Sequence, residues 1–370
     1  MKTSIQIAPR DTINAFLLFF IIHTAQIGIG IQGFQRIIYE DTKQDAWIAV
    51  LLAGLATHII AIFMIRTLEM YGSNDLYGIH QDIFGKWIGN IFNVLYILYS
   101  SIAFFAVFRN YIEVVQTWVF PDLNTLFLAV SLLLIVIYTF TGGLRVIVGV
   151  SFFSFVLGVW LLPMLAYPMK YMEPRNLLPI LEANIGGMLK GIQSMTFTVI
   201  GFEILYIIYP FVKDKENVKK HVHLGLLVTT LIYLAVMMVT LTYFTGDQLS
   251  KTIWATLSLF SIVKFPFIER LEYIVVCFWM LIILPNLCLF LWAAFRGTSR
   301  LVKVSANKFV WIFTFLILTV SVILKTRTQI NMFNNYYGQL AFYIVFVYPI
   351  ILFCFAAVKK KLQSRKEQID

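Results

Sequence analysis

Apolar residues are grouped along the chain into ten long stretches, separated by short connections that carry the charged residues, glycines and prolines. A helix needs about 20 mainly apolar residues to cross the hydrocarbon core of a bilayer. The pattern therefore predicts ten transmembrane helices, at residues 13–38, 46–67, 87–112, 123–140, 146–169, 188–211, 221–244, 271–295, 309–325 and 337–358.

Two of these stretches, the first and the sixth, are interrupted. The first contains Gly28, Gly30 and Gly33 among isoleucines and glutamines, and the sixth contains Gly201 next to Glu203. Small residues can also serve close helix packing, but the cluster of three glycines favours broken helices. A broken helix exposes backbone groups that lipid cannot satisfy, and paired breaks indicate a binding site near the membrane midplane.

Composition supports a membrane protein: 60% of the 370 residues are hydrophobic and 13% are charged, against about 25% charged in a soluble domain. We expect one integral membrane domain over 1–370, with an N-terminal segment 1–10, a ten-helix core 11–358 and a basic tail 359–370. The cysteines, Cys277, Cys288 and Cys354, lie inside apolar stretches and form no disulfide or metal motif. We expect no metal and no cofactor.

The distribution of positive charge predicts the orientation. Most of the 29 lysines and arginines fall on alternate connections, beginning with the N-terminal segment and ending with the tail. Both termini are therefore expected in the cytoplasm. The net charge of +10 is assigned to this topology and not to nucleic-acid binding. Lys359–Lys361 are expected to anchor the tail at the lipid bilayer, a role favoured over recognition of a specific lipid.

The helix count also predicts an internal symmetry. Because five is odd, helices 1–5 and helices 6–10 enter the membrane from opposite sides. The expected fold is an all-α membrane protein of ten transmembrane helices, a LeuT-like five-plus-five inverted repeat with broken helices 1 and 6.

Glu203 is an ionisable residue at membrane depth, which makes it a functional candidate by default. Three roles remain open: carrying a coupling proton, holding a cation or a polar ligand group, or pairing structurally with a cationic side chain. The candidate partners for the third role are His23, His58 and Arg109.

The breaks themselves suggest a class of ligand. The N–H groups that begin a half-helix suit a carboxylate, and the carbonyl groups that end one suit an ammonium or a metal cation. A small zwitterion such as an amino acid matches both ends.

Other polar or small residues at membrane depth are candidate pocket residues. Tyr99 and Ala103 share a face of helix 3, and Asn286 lies one turn before Phe290 in helix 8. Asn286 could equally bond a neighbouring helix. Arg109 and Glu113 are one turn apart and are expected to form a local ion pair. The amphipathic stretch 253–267 is expected at the interface or as a lid.

Enzyme motifs are absent from the sequence, including the nucleotide-binding, zinc-protease and serine-hydrolase patterns. We therefore expect no enzymatic activity.

Several stretches together resemble a known family. The glycine-broken first helix and Gly201-Phe-Glu203 are similar to the amino acid–polyamine–organocation transporter superfamily. Further stretches resemble the B subunit of the Ger-type nutrient germinant receptors of endospore-forming bacteria: 45–52 (DAWIAVLL), 84–89 (FGKWIG), 176–180 (NLLPI), 210–212 (PFV) and 267–272 (FIERLE). The resemblance covers helices 1 to 10.

This resemblance implies a nutrient-binding subunit in the spore inner membrane that works with a larger A subunit and a lipoprotein C subunit. By position, it places the ligand pocket on eight residues: Gly28, Gly30, Tyr99, Ala103, Ile200, Gly201, Asn286 and Phe290. The argument from depth adds Glu203 as a ninth candidate. The sequence departs from the family's pattern at two places. Residues 34–36 (FQR) lack the proline common in relatives, and residues 121–125 (PDLNT) replace a Thr-Pro pair.

Three functions follow as alternatives. The chain could be a sensor whose partner subunits read ligand binding, a proton- or Na⁺-coupled amino acid permease, or a scaffold with a vestigial pocket. The resemblance favours the sensor.

Overall fold

The computed structural model describes residues 7–266, 269–324 and 326–367. Several sequence predictions fall partly outside these residues. They are the first six residues of the N-terminal segment, Phe267 at the end of the 253–267 stretch, Phe267 and Ile268 of the 267–272 motif, Lys325 at the end of the ninth span, and the last three residues of the tail.

Helices make up most of the described structure, in which no β-strand occurs. The first half contains α1 (Phe16–Gln26), α2 (Phe34–Thr42), α3 (Ala46–Tyr71), α4 (Leu76–Trp118), α5 (Thr125–Thr141), α6 (Leu144–Gly158) and the short α7 (Leu161–Met164).

The second half begins with the short pieces of the sixth span: α8 (Ile185–Ser194), α9 (Thr196–Val199) and α10 (Leu205–Ile208). It continues with α11 (Val218–Tyr243), α12 (Gly246–Lys251), α13 (Ala255–Ser261), α14 (Leu271–Leu301), α15 (Ala306–Ile323), α16 (Arg327–Phe342) and α17 (Tyr348–Glu367). A π-helical turn, Tyr343–Val347, joins the last two.

The prediction of an all-helical membrane protein is confirmed. In the part of the chain that is described, seven helices are long and apolar enough to cross a membrane, and the bent pair Ile185–Val199 and Phe202–Phe211 makes an eighth. The other two predicted spans coincide with shorter apolar helices, Phe16–Gln26 and Thr125–Thr141. The count of ten spans therefore stays a prediction.

Local sequence explains where several helices begin and bend. The side chains of Asp75, Asn124 and Asn184 accept backbone N–H groups at the starts of α4, α5 and α8, which satisfies donors that a helix leaves unpaired. Gly85, with φ of 78°, divides α4 into a short entry helix and a long span, because glycine alone adopts this conformation without strain.

The long helices pack in pairs around one buried apolar core. The most extensive contacts are between α4 and α14, between α11 and both α1 and α3, and between α3 and α17. The next are α6 with α14, α2 with α8, α1 with α6, and α5 with α15. The broken first span thus lies against α6, α11 and α14, in the centre of the molecule.

Candidate functional site at the two helix breaks

Both predicted helix breaks are present, and they touch. The first span stops at Gln26 and resumes at Phe34 after a 3₁₀ turn. The sixth stops at Val199, and Gly201 follows with φ of 115°. A Cβ at Gly201 would lie 2.0 Å from the carbonyl oxygen of Ala25. Only glycine therefore permits this contact between the two breaks.

Side chains from other helices satisfy the carbonyl groups that the first break exposes. Four such hydrogen bonds are present: Asn286 Nδ2 to Ala25 (2.5 Å), Tyr233 Oη to Gln26 (3.2 Å), Trp279 Nε1 to Gly28 (3.2 Å) and Thr256 Oγ1 to Ile31 (2.7 Å). This is how irregular backbone is tolerated at membrane depth. Each of these carbonyls therefore already has one protein donor, and the expectation that they bind a ligand ammonium stays a prediction.

The carbonyls of the sixth-span break are satisfied in the same way. Gln26 Nε2 donates to the carbonyl of Val199 at 2.6 Å, and Tyr233 Oη also lies 3.1 Å from the carbonyl of Thr198. Gln26 and Tyr233 therefore connect the two breaks to each other. Tyr233 was not singled out from the sequence, although a buried hydroxyl in an apolar span needs a partner.

Glu203 is used inside the sixth-span break itself. Its Oε2 accepts the N–H of Gly201 at 2.7 Å, and its Oε1 accepts the hydroxyl of Tyr99 at 2.6 Å. The side chain is buried, and Tyr96 donates to its main-chain carbonyl at 3.2 Å. Glu203 thus closes the break and joins it to α4.

None of the three candidate cationic partners contacts Glu203, and no ion pair of Glu203 occurs among the described residues. His23 contacts Thr229 (2.9 Å), His58 contacts His223 (2.8 Å), and Arg109 Nε donates to the carbonyl of Leu324 (3.0 Å). A sequence alone does not fix which faces of distant helices meet.

The expected local pair of Arg109 and Glu113 is also replaced. Glu113 forms its ion pair with Arg327, which begins α16. The guanidinium of Arg327 also lies over the ring of Trp254, 5.0 Å from its centroid. Glu113 therefore pairs with Arg327, which tertiary packing brings close, and not with Arg109 one helical turn away. A pair at that helical spacing contributes only about 0.2–0.5 kcal/mol.

A small cavity lies at the junction of the breaks. It is about 20 Å³, roughly the space of one water molecule. Five of the nine predicted pocket residues line it: Gly28, Gly30, Ile200, Asn286 and Phe290. The other four, Tyr99, Ala103, Gly201 and Glu203, are buried beside it. Ligand binding by all nine stays a prediction.

Hydrogen-bonding groups of both kinds lack partners around this junction cavity. Among the described residues, the backbone N–H groups of Gly28, Ile29 and Gly30 meet no acceptor. The buried oxygens Gln26 Oε1 and Asn286 Oδ1 meet no donor. Buried polar groups normally have partners, so these groups are available for water or a ligand.

A larger vestibule of about 560 Å³ adjoins the junction cavity and shares four lining residues with it: Ile29, Gly30, Phe197 and Thr198. Amide side chains of α16 line the vestibule, and Asn334 exchanges two hydrogen bonds with Asn110 (2.8 and 2.9 Å). The sequence prediction began this span at residue 337 and so missed the polar first turns of α16.

The stretch 253–267, expected at the interface or as a lid, contains α13 and the residues just before it. Thr256 Oγ1 donates to the first break and accepts from Gln35 Nε2 at 2.6 Å. A Cβ at Gly33 would lie 2.4 Å from the carbonyl oxygen of Ile253. This segment therefore covers the first break where α2 begins. The end of the predicted stretch, Phe267, lies outside the described residues.

Comparison with known proteins identifies the family of the chain. The chain is 36% identical to spore germination protein GerQB of Bacillus cereus, over 97% of this chain and 99% of that protein. It is 23% identical to spore germination protein YndE of Bacillus subtilis (96% and 99%) and 23% identical to spore germination protein A2 of the same species (95% and 98%). The sequence model of the family described as "Spore germination protein" matches residues 12–330. The chain, a multi-pass membrane protein of apolar helices, therefore belongs to the spore germination protein family.

Proposed function

We propose that this chain is the nutrient-binding subunit of a spore germinant receptor, and that its ligand is a small zwitterion, with an amino acid favoured. The observation that carries the proposal is the junction cavity, where unpaired N–H groups and unpaired side-chain oxygens lie together between two helix breaks. The carboxylate of the nutrient would accept from the unpaired N–H groups of Gly28, Ile29 and Gly30 within the first break. Its ammonium would donate to Gln26 Oε1 and Asn286 Oδ1.

Binding at the junction cavity requires the breaks to move apart. The cavity has room for about one water, which is less than any amino acid needs. The vestibule supplies a route, with Phe197 and Thr198 forming the boundary between the two spaces. The nutrient would stabilise a more open arrangement, and A and C partner subunits would respond to it. A ligand shifts such an equilibrium only by its difference in affinity for the two states.

The helix contacts support the predicted inverted repeat of ten spans. If spans 1–5 are exchanged with spans 6–10, α1 corresponds to α8 and α9, α3 to α11, and α6 to α16. The contact of α1 with α6 then corresponds to the contact of α9 with α16, and the contact of α1 with α11 to the contact of α8 with α3. The contacts of α3 with α11, α4 with α14 and α5 with α15 each map onto themselves. In transporters with a pseudo-twofold relation of this kind, the binding site lies at the interface of the repeats, which supports a site at the paired breaks.

The location that follows is the spore inner membrane, with both termini in the cytoplasm. The positive-inside distribution of lysine and arginine supports this orientation. Membership of the spore germination protein family supports the compartment.

Filling the junction cavity tests the proposal. A Cβ at Gly28 would meet Val107 Cγ2 at 3.8 Å and Asn286 Nδ2 at 4.0 Å, both ordinary contacts. Gly28→Ala should therefore fold and remove ligand space. Because one methyl group changes discrimination by about 10–200-fold, we expect at least a tenfold rise in the nutrient concentration that half-saturates germination. The measurement is germination of spores that carry this subunit with its A and C partners, screened with single nutrients.

Gly149→Ala is the matched control, since its Cβ would meet nothing within 4 Å and it lies in α6, away from the junction cavity. It should leave the response unchanged. An unaltered response with Gly28→Ala would contradict binding at the junction cavity. A response to a sugar or a nucleoside, with none to any amino acid, would contradict the proposed ligand class.

The second candidate function is a proton- or Na⁺-coupled amino acid permease. The observation that favours it is the buried carboxylate of Glu203 at the sixth-span break. Gradient-driven amino acid uptake by this chain alone in proteoliposomes, abolished by Glu203→Gln, would favour the permease over the receptor subunit.

A further inference from the structure

The vestibule is large enough to hold a small molecule without any movement of the helix breaks. Its volume of about 560 Å³ lies within the range of about 300–1,000 Å³ that ligand pockets occupy. Three helices, α2, α8 and α16, supply most of its walls. The junction cavity, at about 20 Å³, has no such room in this arrangement. The chemistry of the vestibule walls therefore decides which molecule can bind before the breaks move.

Charged side chains from all three of these helices line the vestibule. They are Arg36, Glu40 and Asp41 of α2, Lys190 of α8 and Arg327 of α16. Three of them already have partners, because Arg36 pairs with Glu40 at 2.7 Å and Arg327 pairs with Glu113. Opposite charges held this close largely cancel, so these two pairs leave little net charge for a ligand.

Asp41 and Lys190 remain as one free negative and one free positive charge. Among the described residues, neither of them forms an ion pair. They lie on neighbouring helices, since α8 packs against α2. A Cβ at Gly187, three residues before Lys190, would lie 2.6 Å from the main-chain carbonyl oxygen of Asp41. The two opposite charges therefore belong to one region of the vestibule and do not neutralise each other.

Uncharged polar side chains complete the vestibule walls near these charges. Four amides line it: Gln193, Asn331, Asn335 and Gln339. Each amide offers both hydrogen-bond donors and an acceptor, so it can bind to a carboxylate or to an ammonium group. The vestibule is therefore equipped for a ligand that carries both kinds of charge.

We propose that the vestibule contains a receiving site for a small zwitterion, whose carboxylate binds to Lys190 and whose ammonium group binds to Asp41. A molecule that carries only one of the two charges forms one ion pair and leaves the other side chain unpaired. The receiving site rests on the proposed function for the statement that its zwitterion is the nutrient, but the binding itself does not depend on that function. Asp41 and Lys190 are thus residues that select the ligand before it reaches the junction cavity.

The receiving site and the junction cavity place different demands on the protein. The junction cavity admits an amino acid only after the breaks move apart, whereas the vestibule has room for one in this arrangement. Gly28 lines the junction cavity but not the vestibule. A substitution that fills the junction cavity at Gly28 should therefore leave the receiving site intact.

The experiment measures the binding of three probes to the purified full chain in lipid nanodiscs, by saturation-transfer-difference NMR. Glycine carries both charges, acetate carries only the carboxylate, and methylamine carries only the ammonium group. Glycine should bind about fivefold more tightly than either of the others, which is the scale of one ion pair exposed to water. No binding of glycine, or equal binding of all three probes, would overturn the receiving site, and this comparison needs no variant.

Substitutions of the two free charges locate the binding of glycine. Lys190→Gln and Asp41→Asn should each weaken it about fivefold. The matched controls are Lys170→Gln and Asp122→Asn, which remove the same charges from exposed positions outside the vestibule and should leave the binding unchanged. Weakening by the controls to the same extent would show a general effect of charge and would overturn the assignment to Asp41 and Lys190.

A charge exchange tests whether the two side chains act on one ligand. Lys190→Asp places two carboxylates in the vestibule and should weaken the binding of glycine more than Lys190→Gln does. Adding Asp41→Lys to this variant restores one charge of each sign and should recover most of the binding. A double variant that binds glycine no better than Lys190→Asp alone would contradict joint recognition.

Gly28→Ala separates the receiving site from the proposed function, because it should leave the binding of glycine in the vestibule unchanged. If spores respond to no amino acid while the purified chain still binds glycine through Asp41 and Lys190, the proposed function fails and the receiving site stands. If spores respond to an amino acid while the binding of glycine is insensitive to both charge substitutions, the receiving site fails and the proposed function stands.

Discussion

The hydroxyl of Tyr99 donates a 2.6 Å hydrogen bond to the carboxylate of Glu203, and this contact joins the third span to the break in the sixth. The same carboxylate accepts the N–H of Gly201 at 2.7 Å. Glu203 therefore replaces, within its own span, an acceptor that the interrupted helix no longer provides. The contact makes the shape of the break depend on α4.

Glu203→Ala should destabilise the protein more than Tyr99→Phe. The first substitution leaves two buried donors without an acceptor and should cost about 2–4 kcal/mol, whereas the second removes one hydrogen bond worth about 1 kcal/mol. Glu203→Gln should fall between them, because an amide has a single acceptor oxygen. Thermal unfolding of the purified protein in detergent measures the order. A larger loss for Tyr99→Phe would contradict the capping role of Glu203.

Gly201→Ala should be far more damaging than Gly72→Ala. Both glycines have positive φ, 115° and 63°, but a Cβ at Gly201 would lie 2.0 Å from the carbonyl oxygen of Ala25, whereas a Cβ at Gly72 would meet nothing within 4 Å. Gly72→Ala should cost about 1–2 kcal/mol of backbone strain. Gly201→Ala adds a clash and should cost more than about 3 kcal/mol. The yield of folded protein and its melting temperature test this difference.

Asp45 should hold the connection before the sixth span. The carboxylate is buried and accepts the N–H groups of Leu181 (2.7 Å) and Ala183 (2.8 Å). Asp45→Ala leaves both donors unpaired and should release this connection, so that trypsin cleaves faster after the exposed Arg175. Asp122→Ala, at an exposed turn, is the control and should not change the rate. Equal cleavage rates for the two variants would argue against anchoring by Asp45.

Asp214 should make the attachment of α1 to the end of the sixth span depend on pH. Its Oδ1 accepts the N–H of Ala15 at 2.7 Å, next to the bridge between Ile13 and Val212. Burial raises the pKa of Asp214, but the hydrogen bonds from Ala15 and nearby groups outweigh this and lower the pKa below its ordinary 3.8. A lowered pKa means that the stabilisation is present above 3.8 and is lost as the pH falls through the folded-state value.

Comparison of the unaltered protein with Asp214→Asn tests this pH dependence. The variant should exchange the Ala15 amide hydrogen faster at pH 7, where the carboxylate is charged. The difference should vanish as the pH falls through the lowered pKa of Asp214, below which both proteins carry a neutral side chain. A difference that persists unchanged at low pH would show that charge on Asp214 is not its cause.

The sequence by itself determined the helices and the positions of the two breaks. A span is recognised from about 20 consecutive apolar residues, and a break from glycines clustered within one. Both properties are local, so Gly28, Gly30 and Gly201 could be assigned without coordinates. Asn286 could be singled out for the same reason, since a polar side chain in an apolar stretch is visible in the sequence.

Only the tertiary structure decided which groups satisfy the breaks. Asn286 and Tyr233 reach carbonyls that are more than 200 positions away in the chain, and Glu113 pairs with Arg327 and not with its neighbour Arg109. The faces that distant helices turn toward each other follow from packing over the whole core, and a hydrogen bond forms only where that packing brings a donor within about 3 Å of an acceptor. Apolar length is a property of a segment, whereas a partner is a property of the fold.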